Sequence, residues 1–130
     1  MRIGDVIATA DWKTEKHVPA IELPESIKKG EPVQVRVCVG KDISHPNTTE
    51  HHIKWIDTYF KPDGGKFVFH LARAEFGVHG ESPKGANEGP VHTEACALFG
   101  ARFEESGTVI AVAYCNIHGL WESSAKVEVV

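Results

Sequence analysis

"PVQVRVCVG", residues 32–40, decides the fold. Val33, Val35, Val37 and Val39 fall on one face and Gln34, Arg36 and Cys38 on the other, the period of two that a half-buried β-strand requires. Working outward, comparable runs rich in β-branched and aromatic residues cover 51–60, 66–76, 92–103, 108–115 and 125–130. Turn signals separate them: "PDGG" at 62–65, "ESG" at 105–107 and the long polar "GESPKGANEGP" at 80–90. No long helix, internal repeat or low-complexity tract is visible. Short strands at this spacing predict an all-β domain, an immunoglobulin-like antiparallel β-sandwich with Greek-key connections.

The chain has 130 residues, 42% hydrophobic and 25% charged, which suits a single domain over 1–130 with its own core. A net charge of −4 with scattered lysines gives no basic stripe, so no nucleic-acid partner is expected. No apolar run approaches the roughly 18 residues of a membrane span. The opening "MRIGDVIATADWK" lacks the apolar centre of a signal peptide, so a cytoplasmic location is expected. Cys38, Cys96 and Cys115 are odd in number, far apart and without a C-x-x-C pair, which argues against a disulfide framework and for a reducing compartment. The sequon at Asn47-Thr48-Thr49 is then a chance match.

Eight histidines are many for this length, and they sit where the chain turns. His17 lies in "EKHVP", His45 and His51 bracket "PNTTE", and His118 follows Cys115 in "YCNIHGLW". Extended strands would hold His45 and His51 about 20 Å apart, and Cys115 and His118 about 10 Å apart. Donors to one metal must lie within roughly 4 Å of each other, so "PNTTE" has to loop back and Asn116 and Ile117 have to form a tight turn. His51 and His52 point to opposite faces of a strand, and spacing does not choose between them. His70, His79 and His92 have no matching partners nearby and read as solvated surface residues.

Chemistry narrows the use of such a set. A Cys–His nucleophilic pair has no need of three further loop histidines. Blue copper uses two histidines and a long axial methionine, and the only methionine is Met1. Structural zinc would close on Cys plus three His and leave one histidine unused. One thiolate with four imidazoles is one short of an octahedron, so a redox iron would keep a position open to a small molecule.

"WKTEKHVP" (12–19), "HPNTTEHHI" (45–53), "HGES" (79–82) and "YCNIHGLWE" (114–122) together closely resemble the superoxide reductases, in their small single-iron form, the neelaredoxins. The two-iron relatives, the desulfoferrodoxins, carry an additional rubredoxin-type domain with four cysteines, which this sequence does not contain. The resemblance implies a mononuclear non-haem iron with His17, His45, His51 and His118 as equatorial ligands and Cys115 as axial thiolate. It also selects His51 over His52. Glu15 is similar to the carboxylate that fills the sixth position of the resting ferric site, and Lys16 resembles a mobile lysine beside the open position. The implied reaction is one-electron reduction of superoxide to hydrogen peroxide without release of oxygen. The implied partners are rubredoxin or a similar small electron donor, and further copies of the chain in a homotetramer. Superoxide is an anion and the chain is net negative, so a local positive field is required; Lys16 is its expected source, with Lys13, Lys41 and Lys54 as possible helpers. The competing class is a non-catalytic electron-transfer or metal-binding module on the same sandwich.

Overall fold

A computed structural model describes all residues, 1–130. Seven strands follow a short 3-10 turn at Ile3–Asp5: β1 (Pro19–Glu22), β2 (Pro32–Val39), β3 (Ile53–Pro62), β4 (Phe69–Glu75), β5 (Cys96–Arg102), β6 (Gly107–Cys115) and β7 (Gly119–Val127). They form two antiparallel sheets, ordered β1-β2-β5 and β4-β3-β6-β7. The chain crosses between sheets after β2, β4 and β5, which makes an immunoglobulin-like sandwich.

The alternation in the sequence is the alternation of burial. Val35, Val37 and Val39 of β2 are buried while Gln34 and Arg36 are exposed. On β6 every second residue from Gly107 to Cys115 is buried, so Val109, Ala111 and Ala113 face the core and Cys115 inherits the same side. With Ile27, Ile56 and Phe103 these side chains fill the space between the sheets.

Three differences from the sequence reading have physical causes. Strand β1 and the first half of β7 have no apolar run of their own. "PAIE" is too short to show a period, and "GLWESS" pairs with β6 through its backbone, from Gly119 opposite Cys115 onward. Strands expected from 51, 66 and 92 begin at Ile53, Phe69 and Cys96, because the preceding residues are engaged in loops. The expectation of no disulfide is also overturned. Cys38 and Cys96 stand directly opposite each other in the β2–β5 ladder and are bonded, although 58 residues separate them. Sequence distance concealed a pairing that sheet register creates. Only Cys115 is free, so the cysteine count no longer speaks for a reducing compartment. No helix is long and apolar enough to cross a membrane.

Candidate metal centre

Four segments deliver donors to one end of the sandwich. Asp11 organises the first: its backbone carbonyl accepts from the N–H groups of Thr14 and Glu15, and its carboxylate accepts from Lys13 N–H at 2.9 Å. The chain then runs into β1 with His17 buried just ahead of it. The second segment leaves β2 at Gly40, whose φ of +92° suits glycine; a Cβ there would lie 2.8 Å from the backbone nitrogen of His45. The third is the return of "PNTTE", where Thr48 N–H donates to the carbonyl of His51 at 3.0 Å and brings His51 back toward His45. The fourth is the β6–β7 turn, in which the backbone N–H of His118 donates to Cys115 Sγ at 3.3 Å. Both loop closures expected from the sequence are present.

The four imidazoles surround a common centre. Ring centroids lie 4.8 Å apart for His17–His118, 5.0 Å for His118–His51, 4.8 Å for His51–His45 and 4.9 Å for His45–His17. Across the ring, His17 and His51 are 6.3 Å apart. This is a nearly square arrangement with His17 facing His51. Nδ1 of His118 is 3.1 Å from Nε2 of His17 and 3.3 Å from Nε2 of His51. Bonds of about 2.1 Å to one cation at right angles place neighbouring nitrogens about 3 Å apart. Cys115, wholly buried, brings Sγ to 3.8 Å from His118 Nδ1, and one donor atom each from His17, His45, His51 and Cys115 lie within 4.8 Å of one another. His118 itself is exposed, so the site is buried on the thiol side and meets solvent at His118.

His45 tests whether a metal fits. Its Nδ1 is 2.7 Å from the carbonyl of Pro46, which can only accept, so Nδ1 carries the proton and Nε2 a lone pair. That Nε2 is buried and has no hydrogen-bond partner. Burial pushes the His45 pKa down to about 4, with His17, His51 and Lys16 adding to it against the pull of the Pro46 carbonyl. A neutral imidazole with an unpartnered inward lone pair is a donor awaiting a cation. His51 is shifted downward too, first by burial, then by His118 and Lys16. His17 is fixed by Glu15, whose Oε1 accepts from His17 Nδ1 at 2.7 Å and from its backbone N–H at 3.1 Å, and by Trp121, stacked at 4.7 Å and 14°. The same contact holds the Glu15 carboxyl below its ordinary value. Both histidines thus present Nε2 inward while Nδ1 is held by an acceptor.

The remaining histidines do something else. His52 is turned away, its Nδ1 2.8 Å from the carbonyl of Thr48. His79 corrects the sequence reading: far from solvated, it is 3% exposed and stacks on His52, because the long β4–β5 connection folds back under the 45–52 loop. His92 is exposed but bonds the carbonyl of Asn47 at 2.9 Å, and His70 bonds Asp57 at 2.9 Å. Sequence reasoning placed Asn116 in the turn but missed its contacts, and missed the roles of Asn47 and Trp121. Asn116 donates to the carbonyl of Glu50 and accepts from His52 N–H, while Trp121 Nε1 donates to the carbonyl of His118. The only signal for Asn47 and Trp121 was membership of the same quoted blocks. Among the lysines, Lys41 pairs with Glu22, and both Lys41 and Lys13 lie over the ring of Trp12.

Residues 9–124 match the desulfoferrodoxin family model. The chain belongs to the desulfoferrodoxin family. A Thermotoga maritima relative is 56% identical, with 99% of this chain and 98% of that one aligned, and a solved Thermotoga maritima structure, 55% identical, superposes with a TM-score of 0.96 over 100% of this chain and 98% of that one. The neelaredoxin of Megalodesulfovibrio gigas is 52% identical over 98% of each chain. The reduced superoxide reductase (neelaredoxin) of Archaeoglobus fulgidus, 50% identical, gives a TM-score of 0.88 over 95% of this chain and 98% of that one. For a desulfoferrodoxin-family member, the square of imidazoles above a buried thiol is the feature that any functional account has to use.

Proposed function

We propose that this chain is a superoxide reductase that reduces superoxide to hydrogen peroxide, taking one electron and two protons per superoxide and releasing no oxygen. The observation that carries the reading is the near-square of His17, His118, His51 and His45 over the buried thiol of Cys115. A single non-haem iron held by these five residues would supply the electron by cycling between ferrous and ferric states.

The chain's own residues do the rest. Cys115 would bind as thiolate, its charge met by the His118 N–H. The carbonyl of Pro46 and the carboxylate of Glu15 keep Nδ1 of His45 and His17 protonated, so both rings present a basic nitrogen inward. Lys16, next to His17, supplies positive charge where the anion arrives; its field is felt at His45 and His51. Glu15, which here holds His17 Nδ1, would be a further residue to hold the iron in its resting ferric form. Electron return from rubredoxin or a similar small carrier, a homotetramer and a cytoplasmic location complete the proposal.

The test is stoichiometry. Iron-loaded, pre-reduced protein mixed with a pulse of superoxide should yield one peroxide per superoxide and no oxygen, with one iron per chain by elemental analysis. Oxygen evolved at one per two superoxides would identify a dismutase and overturn the reading.

A further inference from the structure

The block "HGES", residues 79–82, contributes no donor to the centre, yet its histidine is more deeply buried than any of the four imidazoles there. The His79 ring lies flat on that of His52, with centroids 3.6 Å apart and planes 4° from parallel. Nδ1 of His79 is 2.8 Å from Oδ1 of Asn47, and Nε2 is 3.0 Å from the carbonyl of Phe76. The orientation of the Asn47 amide is fixed independently, because its Nδ2 donates to the carbonyl of Thr93 at 3.0 Å and leaves Oδ1 toward His79.

Both oxygens that face the ring can only accept. A neutral imidazole has one N–H, so in that form one nitrogen would point a lone pair at an oxygen about 3 Å away in a buried setting, at a cost of roughly 1–3 kcal/mol. The ring satisfies both partners only with a proton on each nitrogen. Glu81, whose carboxylate accepts the backbone N–H of His79, favours that form, as does the Phe76 carbonyl. Burial opposes it and prevails in lowering the His79 pKa, with His52 and His92 acting in the same direction. Asn47, two residues after His45 and four before His51, is the load on this ring, and the carbonyl of Asn47 is also held by His92. Gly80 permits the close approach: its φ is +92°, and a Cβ there would sit 2.7 Å from His92 Cε1.

We propose that His79 is a positioning residue that acts as a two-donor clamp at acid pH, where its doubly protonated ring locks Asn47 and, through it, the loop that carries His45 and His51. Loss of the Nδ1 proton releases Asn47 and loosens the loop as pH rises through the titration of His79, whereas loss of the Nε2 proton would release only the Phe76 carbonyl. The inference rests on the reading of His45 and His51 as metal ligands, but the clamp itself is tested without metal. Nitrogen-15 spectra of the full-length metal-free protein should show both ring nitrogens of His79 protonated at low pH, with amide exchange at residues 46–50 quickening as one proton leaves. His79→Asn keeps a donor toward Asn47 and should stay within about threefold of wild type in Co2+ affinity, measured against a chelator. His79→Gln keeps only the donor toward Phe76 and should lose about tenfold or more, the usual effect of removing a ligand's supporting hydrogen bond. A ring with a single N–H at every pH, or equal affinity in the Asn and Gln variants, would overturn the clamp. Normal protonation and exchange behaviour with Co2+ bound elsewhere would instead overturn the ligand assignment and leave the clamp standing.

Discussion

His45 joins two properties that bear on how stability depends on pH. Its Nδ1 is committed to Pro46, and burial holds its pKa near 4 against an ordinary 6.5. An unfolded chain takes up this proton at higher pH than the folded one, so stability gained from a neutral His45 is complete above about pH 6.5 and drains away as pH falls toward 4. Urea denaturation of the metal-free protein should therefore give a midpoint that falls over that window, and His45→Gln should flatten the fall. His51 and His52 make the complementary contrast. His51→Ala removes a nitrogen from the centre and should cut iron occupancy severalfold, whereas His52→Ala removes a stacking surface for His79 and should leave occupancy nearly intact; iron per chain after chelator challenge decides it. The period of two in the sequence could not make this distinction, because both residues precede the first residue of β3, Ile53. Only the contacts of each ring, His51 with His118 and His52 with His79, separate them.

At the scale of the elements, legibility followed local pattern. Cys115 was readable as the end of a strand and the turn to His118 followed from the reach of that strand, but its inward side was not, because 108–115 is apolar nearly throughout and alternates only in burial. What depends on contacts between distant segments was not readable: Cys38 opposite Cys96, and the 79–92 connection beneath Asn47. Each gives a prediction. A crosslink across 58 residues restricts the unfolded chain, so Cys38→Ala should cost about 4 kcal/mol on loop-entropy grounds, less where the unfolded chain is already compact, read from the denaturant midpoint. Reductant should lower the wild-type midpoint and leave the variant unchanged. Gly40→Ala acts on the β2 exit. A methyl 2.8 Å from the His45 nitrogen at a positive φ forces the backbone apart, so the variant should lose about 1–2 kcal/mol and, in addition, iron affinity.

Over the whole molecule the question is how a chain of net charge −4 captures an anion. The average field repels superoxide, so the encounter depends on charge placed within about a Debye length, roughly 8 Å at physiological salt, of the exposed side of the centre. Lys13 and Lys41 are drawn over Trp12, and Lys41 is paired with Glu22; Lys16 is the lysine whose field reaches His45 and His51. Lys16→Ala should slow the bimolecular reaction with superoxide severalfold and turn the salt dependence from falling toward flat or rising, because added salt then screens only the repulsion. Iron content should stay constant. Glu15→Ala removes the acceptor that orients His17 and a negative charge beside Lys16, so the encounter should be as fast or faster while the spectrum of the resting ferric form changes. Stopped-flow mixing at several ionic strengths separates the two roles: an unchanged rate and salt slope in Lys16→Ala would make Lys16 an ordinary surface lysine and transfer the steering to the imidazole N–H edges around the site.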